Sequence, residues 1–119
     1  MEKTEILNGI IKAVTDAVNG AAPGHKLSAA INAIGTSVRI TFVDGTHGKH
    51  SMQFNVENNG KLTLHNIHLP SGLIGKGIMT EALKAIRELP GLNGECHVAL
   101  ALNDKGWRTI LKRAGFASV

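Results

Sequence analysis

One short segment constrains the fold of this chain more than any other. Ile74-Gly75-Lys76-Gly77-Ile78-Met79 joins an extended stretch ending at Leu69-Pro70 to a helix-patterned stretch running from Thr80 to Leu89. A glycine-rich turn between a strand and a helix points free backbone N–H groups at one spot, and the helix dipole adds positive potential there. Such a spot suits a phosphate or pyrophosphate. The same glycines, with Gly72, also permit tight strand-to-helix packing that needs no ligand.

The patterns on either side set the fold class. Ile6, Ile10, Ala13, Val14 and Ala17 recur at helical spacing and predict a helix over 3–19. Asn19-Gly20 and Pro23-Gly24 break it. Leu27, Ala30, Ile31 and Ile34, stopped by Gly35, predict a second short helix over 26–34. The period then changes to two. Val38, Ile40 and Phe42 predict a strand, Asp44-Gly45 a hairpin turn, and 48–57 the return strand. Asn58-Asn59-Gly60 turns again into 61–69, with Leu62 and Leu64, then Ile67 and Leu69. A helix to Leu89, a loop at Pro90–Gly94, a strand over 95–102 and a helix over 104–113 complete the order. This is an α/β chain of one domain over 1–119, an α+β mixed sheet with a three-strand meander followed by a βαβ crossover.

Composition narrows the function classes. Aromatic residues are 3 % and tyrosine is absent, so the core must come from Leu, Ile, Val and Ala. The formal net charge of +4 is spread over scattered Lys and Arg with no basic run. A phosphate ligand or solubility explains that charge as well as nucleic acid does, and nucleic acid is not the expected partner. The single cysteine, Cys96, excludes an internal disulfide and fits a reducing compartment. With no long apolar run at the N-terminus, neither a signal peptide nor a membrane span is expected, and the expected location is cytoplasmic.

Two nucleotide-binding motifs fail on spacing. Gly75-Lys76-Gly77 is followed by Thr80 where a dinucleotide fingerprint requires a third glycine. A Walker loop requires Gly-Lys-Ser/Thr, which is absent at this turn. His47 and His50 form a His-x-x-His pair near the first hairpin, but no third ligand is evident nearby, and no metal site is expected.

From Leu62 to Phe116 the chain resembles the GNAT-type N-acetyltransferases. That family carries a strand, a Pro shortly before an Arg/Gln-x-x-Gly-x-Gly/Ala turn, a helix, a strand ending near Asn, and a helix closing on Gly-Phe. The counterparts here are Pro70, Ile74 to Met79, the 80–89 helix, Asn103, and Leu111 to Phe116. The resemblance implies a GNAT-like acyl-CoA N-acyltransferase fold lacking the family's first and last strands, and acetyl-coenzyme A as acyl donor. It places the pyrophosphate on the amides of Gly75, Lys76, Gly77, Ile78 and Met79, with a hydroxyl from Thr80. It places the pantetheine arm between two splayed strands, walled by Ile67, His68 and Leu69 on one side and by Leu100, Ala101 and Leu102 on the other, with Asn103 beyond. Four departures stand out. Ile74 replaces the family's Arg/Gln, Met79 replaces its final Gly/Ala, Ile110 aligns with its proton-donating tyrosine, and terminal strands are missing. Missing strands leave open sheet edges, so a homodimer is expected.

Acetyl transfer to an amine requires a base, a stabilised oxyanion and a leaving thiolate. His65 and His68 are the candidate bases, since imidazole titrates near pH 6.5, roughly. Their spacing of three puts them on opposite faces of a strand, so only one faces a cleft, and either is also an ordinary surface histidine. Cys96 is a candidate proton donor or a small buried hydrophobe. Asn103 is a ligand contact or a helix N-cap. Trp107 packs on an adenine ring or in the core. Two functions follow. One is an N-acetyltransferase acting on an amine of a protein or small molecule. The other is a non-catalytic interaction or inhibitor protein, with a protein partner, on a trimmed scaffold of the same kind.

Overall fold

The computed structural model describes residues 3–98 and 104–118. Helix α1 (Lys3–Ala21) is followed by strands β1 (Leu27–Ile31), β2 (Ser37–Phe42), β3 (Ser51–Val56) and β4 (Leu62–Ile67). A 3₁₀ turn (Ser71–Leu73) leads to helix α2 (Ile78–Arg87), strand β5 (Glu95–Val98), helix α3 (Asp104–Ala114) and a two-residue strand β6 (Ala117–Ser118). The sheet order is β1-β2-β3-β4-β5-β6. β1 to β4 pair antiparallel, while β5 lies parallel to β4 and β6 parallel to β5. The class is therefore mixed α and β, as the alternating periods predict.

All three helices cover one face of this sheet. α2 packs between α1 and α3, and the inward residues Val38, Ile40, Phe42, Met52, Phe54, Val56, Leu62 and Leu64 are buried against them. From α1 come Ile6, Leu7, Ile10, Val14 and Val18, at the three- and four-residue spacing that makes one stripe on a helix. From α2 come Ile78, Ala82, Leu83 and Ile86. The opposite sheet face is polar, and on it Ser51 and Thr63 are buried. There Arg39 donates to Gln53 Oε1 at 3.1 Å, and Gln53 donates to Asn55 Oδ1 at 3.3 Å. A two-layer arrangement needs this alternation, and β2 shows it plainly.

Residues 26–34 are not a helix. Leu27–Ile31 form β1, paired along its length with β2 from Leu27↔Phe42 to Ile31↔Val38. The alanines that read as helix formers carry only a weak preference, and cross-strand pairing overrides it. Asn32 turns the chain. Its Oδ1 accepts from the N–H groups of Thr36 and Ser37, at 2.8 and 3.0 Å, and Gly35 takes a left-handed φ of 70°. The expected meander of three strands is thus a run of four. β6 extends the other edge after Phe116, so the sheet has six strands where four were expected. The expected strand over 95–102 is described over Glu95–Val98.

Between β3 and β4 the register shifts. Phe54 faces Leu64, whereas Met52 faces Ile67. Two residues, His65 and Asn66, therefore stand opposite Gln53 alone, which is a β-bulge. The far turns lock together. Asn93 N–H donates to the Gly60 carbonyl at 3.0 Å, and its side-chain amide donates to the Asn59 carbonyl at 3.2 Å. Gly60 has φ of 85°, and a Cβ there would lie 2.6 Å from the Gly91 carbonyl oxygen.

Two predictions follow from these turns. Gly60→Ala lowers stability by about 1–3 kcal/mol, from left-handed strain and backbone crowding together, read as a lower urea midpoint. In the β2–β3 hairpin, hydrogen bonds from Thr46 and then His50 hold the Asp44 carboxyl down at about 2. Its folded value lies below the ordinary 3.8, so this link is fully present above pH 3.8 and is lost as pH falls through about 2. The Thr46 amide resonance, followed by acid titration, should move with that midpoint. In an Asp44→Asn variant it should not.

Candidate functional site

The glycine turn is built by local rules. Pro70 starts the 3₁₀ turn, and Leu73 donates its N–H to the Pro70 carbonyl at 2.8 Å. Leu73 is buried and anchors the turn to the core, while Ile74 stays 67 % exposed. Gly75 and Gly77 adopt φ of 83° and 73°, a conformation that side chains resist. Gly77 is the N-cap of α2, and no side chain caps the helix there. Its carbonyl receives the first helical bond, from the Glu81 N–H at 3.0 Å. The N–H groups of Ile78, Met79 and Thr80 precede that bond and are the orphan donors of the first turn. Among the described residues, no atom would lie within 4 Å of a Cβ at Gly75 or Gly77, so they leave the space in front of the turn open.

Beside this turn lies a cleft of about 510 Å³. Ile67 and Leu69 extend β4 along one wall, the glycine turn and Thr80 form a second, and Trp107, Ile110 and Arg113 of α3 face them. The walls are mostly apolar. Among the described residues that line it, Arg113 is the one ionisable group. Arg113 is exposed, as expected for a guanidinium that keeps its charge in water while its stem covers apolar surface. Arg87, near the end of α2, donates Nε–H to the Gly115 carbonyl at 3.2 Å and so fixes the base of α3 against α2.

The expected ligand-binding residues divide into three groups. Ile67, Leu69, Ile74, Gly75, Gly77, Ile78, Met79 and Thr80 all line this cleft. Lys76 is exposed at the apex of the turn, and His68 is exposed on the strand extension between Ile67 and Leu69; neither is a wall of the cleft. Leu100, Ala101, Leu102 and Asn103 lie outside the described residues. Met79 does not project into solvent across the turn. It is 5 % exposed and forms part of the cleft lining.

The candidate catalytic groups stand apart from the cleft. His65 is half-buried in the bulge of β4, and His68 donates its backbone N–H to the Ser51 carbonyl at 2.9 Å. Cys96 pairs with Leu62 in the parallel ladder and is fully buried in the core. Burial pushes its thiol up to about 12, a backbone hydrogen bond at Leu64 opposing only in part. The two metal-candidate histidines part company as well. His50 Nδ1 lies 2.5 Å from Asp44 Oδ2, while His47 is exposed at a left-handed φ of 57°. No group of three metal-ligating side chains occurs among the described residues.

Sequence reasoning missed Arg113. The signal was present: Gly106, Trp107, Ile110 and Arg113 follow helical spacing, so the residue one turn beyond Ile110 shares its face. No family model, curated protein or solved structure matches the chain. No described helix is long and apolar enough to cross a membrane.

The state of Cys96 makes a prediction. Its raised folded pKa leaves stability unchanged below the ordinary thiol value of 9.0 and reduces it as pH rises from there toward about 12. A thiol reagent at pH 8 should leave the native protein unmodified and label Cys96 at once in denaturant. Rapid labelling of the native protein would contradict the burial described here.

Proposed function

We propose that the cleft takes an acyl-coenzyme A, with acetyl-coenzyme A as donor, and that the protein transfers the acetyl group to an amine. The open glycine turn at the uncapped start of α2, facing Arg113 across an apolar cleft, carries this reading. Anions settle where orphan N–H groups and a helix dipole converge. Arg113 supplies the full positive charge that Ile74 does not, in a fork suited to phosphate oxygens. The cleft volume falls within the range of small-molecule sites, roughly 300–1,000 Å³. Its apolar walls at Ile67, Leu69, Trp107 and Ile110 suit an alkyl-amide arm, with Trp107 also available to a flat ring. The order of elements from β4 to α3 supports a GNAT-like fold for this half of the chain.

An acetyl thioester brings an acyl group already activated toward amines. This chain contributes positioning: amides of the turn and Thr80 hold the anionic end, and the apolar walls exclude water from the arm. The described walls hold no carboxylate or imidazole, so in this reading the amine proton leaves toward solvent.

That same observation favours a second reading, in which the cleft binds the nucleotide thioester without transferring its acyl group. The buried Cys96 thiol cannot donate readily to a leaving thiolate, and Ile110 has no proton to give.

Calorimetry separates these. Coenzyme A and acetyl-coenzyme A should bind with micromolar affinity, about −8 kcal/mol. Arg113→Ala should weaken binding by about ten- to a hundredfold, the loss of a charge-assisted contact worth about 1.5–3 kcal/mol. Gly77→Asp, which sets a carboxylate on the cradle, should abolish it. No heat at millimolar ligand discards the proposal. Binding with no thiol released across an amine panel selects the second reading.

A further inference from the structure

β1 is an edge of the sheet, and its hydrogen-bonding parity can be read from both ends. The Lys26 carbonyl accepts from Val43 N–H at 2.9 Å, and Asn32 N–H donates to the Ser37 carbonyl at 3.0 Å. In an antiparallel ladder, bonded pairs alternate. Lys26, Ser28, Ala30 and Asn32 therefore spend their backbone groups on β2. The N–H and C=O groups of Leu27, Ala29 and Ile31 point outward, away from the sheet.

The usual protections of an edge strand are missing here. No charged residue occurs between Leu27 and Val38, although the chain carries 18 % charged residues overall. β1 contains no proline, and its pairing with β2 runs without a bulge. Its inward side chains Leu27 and Ile31 are only half-buried, and among the described residues no strand pairs with β1 on its outer side.

From this we propose that β1 pairs with β1 of a second copy of this chain, antiparallel across a two-fold axis through Ala29. In that register Leu27 faces Ile31 of the second copy, Ala29 faces Ala29, and Ile31 faces Leu27. All three are outward-pointing positions, so every outward N–H meets an outward C=O. A register centred one residue away pairs fewer of them. The side chains agree with the backbone. Leu27 meets Ile31 on the helix-covered face and extends the apolar layer, while Ser28 meets Ala30, both exposed, on the polar face with no steric or charge conflict. An isologous contact requires this self-complementarity. The two six-stranded sheets then run on as one. This pairing does not depend on what the cleft binds.

Sedimentation equilibrium on the full chain tests it, the expected mass being twice 12.6 kDa. A monomer at roughly 100 μM, well above the micromolar dissociation constants of ordinary specific contacts, overturns it. Ala29→Pro removes only an outward N–H and leaves the β1–β2 ladder its own bonds. It should weaken the dimer by more than about tenfold, the loss of a symmetric pair of central bonds. A charge swap covers the case in which the proline variant fails to fold. S28E/A30E sets like charges across the axis, and so does S28K/A30K, both at exposed positions. Each variant should be monomeric alone, and the two mixed should form a one-to-one heterodimer. Dimers that persist in both charge variants overturn the proposal, as does a mixture that stays monomeric.

Discussion

The structure depends on a single apolar layer pressed between one face of the sheet and three helices. With so few aromatic residues, that layer is mostly aliphatic, although Phe42, Phe54 and Phe116 are all buried in it, contrary to a core of Leu, Ile, Val and Ala alone. The approach of α1 to the end of α2 is close. A Cβ at Gly9 would lie 2.8 Å from Cδ2 of Leu89, just past the end of α2, so α1 admits that side chain where it has none of its own. Burial of apolar area on this side, at about 25 cal/mol per Å², is the main favourable contribution. The site inherits its position from this layer. Leu73 pins the glycine turn to it from below, and Leu111, Ala114 and Phe116 pin α3.

Much of this was legible in the residues. The stripe of α1, the alternation of β2, the hairpin at Asp44-Gly45 and the turn-to-helix passage at Gly77 each obey one local rule with no competitor. Residues 27–31 did not yield to local rules. Leu-Ser-Ala-Ala-Ile suits a helix by propensity and a strand by context, and only the presence of β2 alongside decides. The exposure of Ala29 and Ala30 makes the segment look like neither pattern in isolation.

The site was legible in half. A glycine turn writes its conformation into sequence, because few other residues accept those angles, and Gly75 and Gly77 take them. Groups that reach a cleft across space leave no such trace. Arg113 meets the turn only because Arg87 and the buried side of α3 set the helix at its angle. The facing of His65 and His68 depends on a register that sequence alone does not count. Cys96 carries no mark that separates a buried thiol from a reactive one until its neighbours are known.

That register has a reach beyond the strand that contains it. Along β4, strict alternation from Leu64 would send Asn66 and His68 under the helices and turn Ile67 and Leu69 out to water. The doubled step at His65-Asn66 shifts the phase by one residue, and the oily pair arrives inside. The chemical character of the wall beside the glycine turn thus depends on the two-for-one step in this ladder. Smoothing out the bulge with every residue kept would slide the register by one and turn an amide and an imidazole toward the same ligand space.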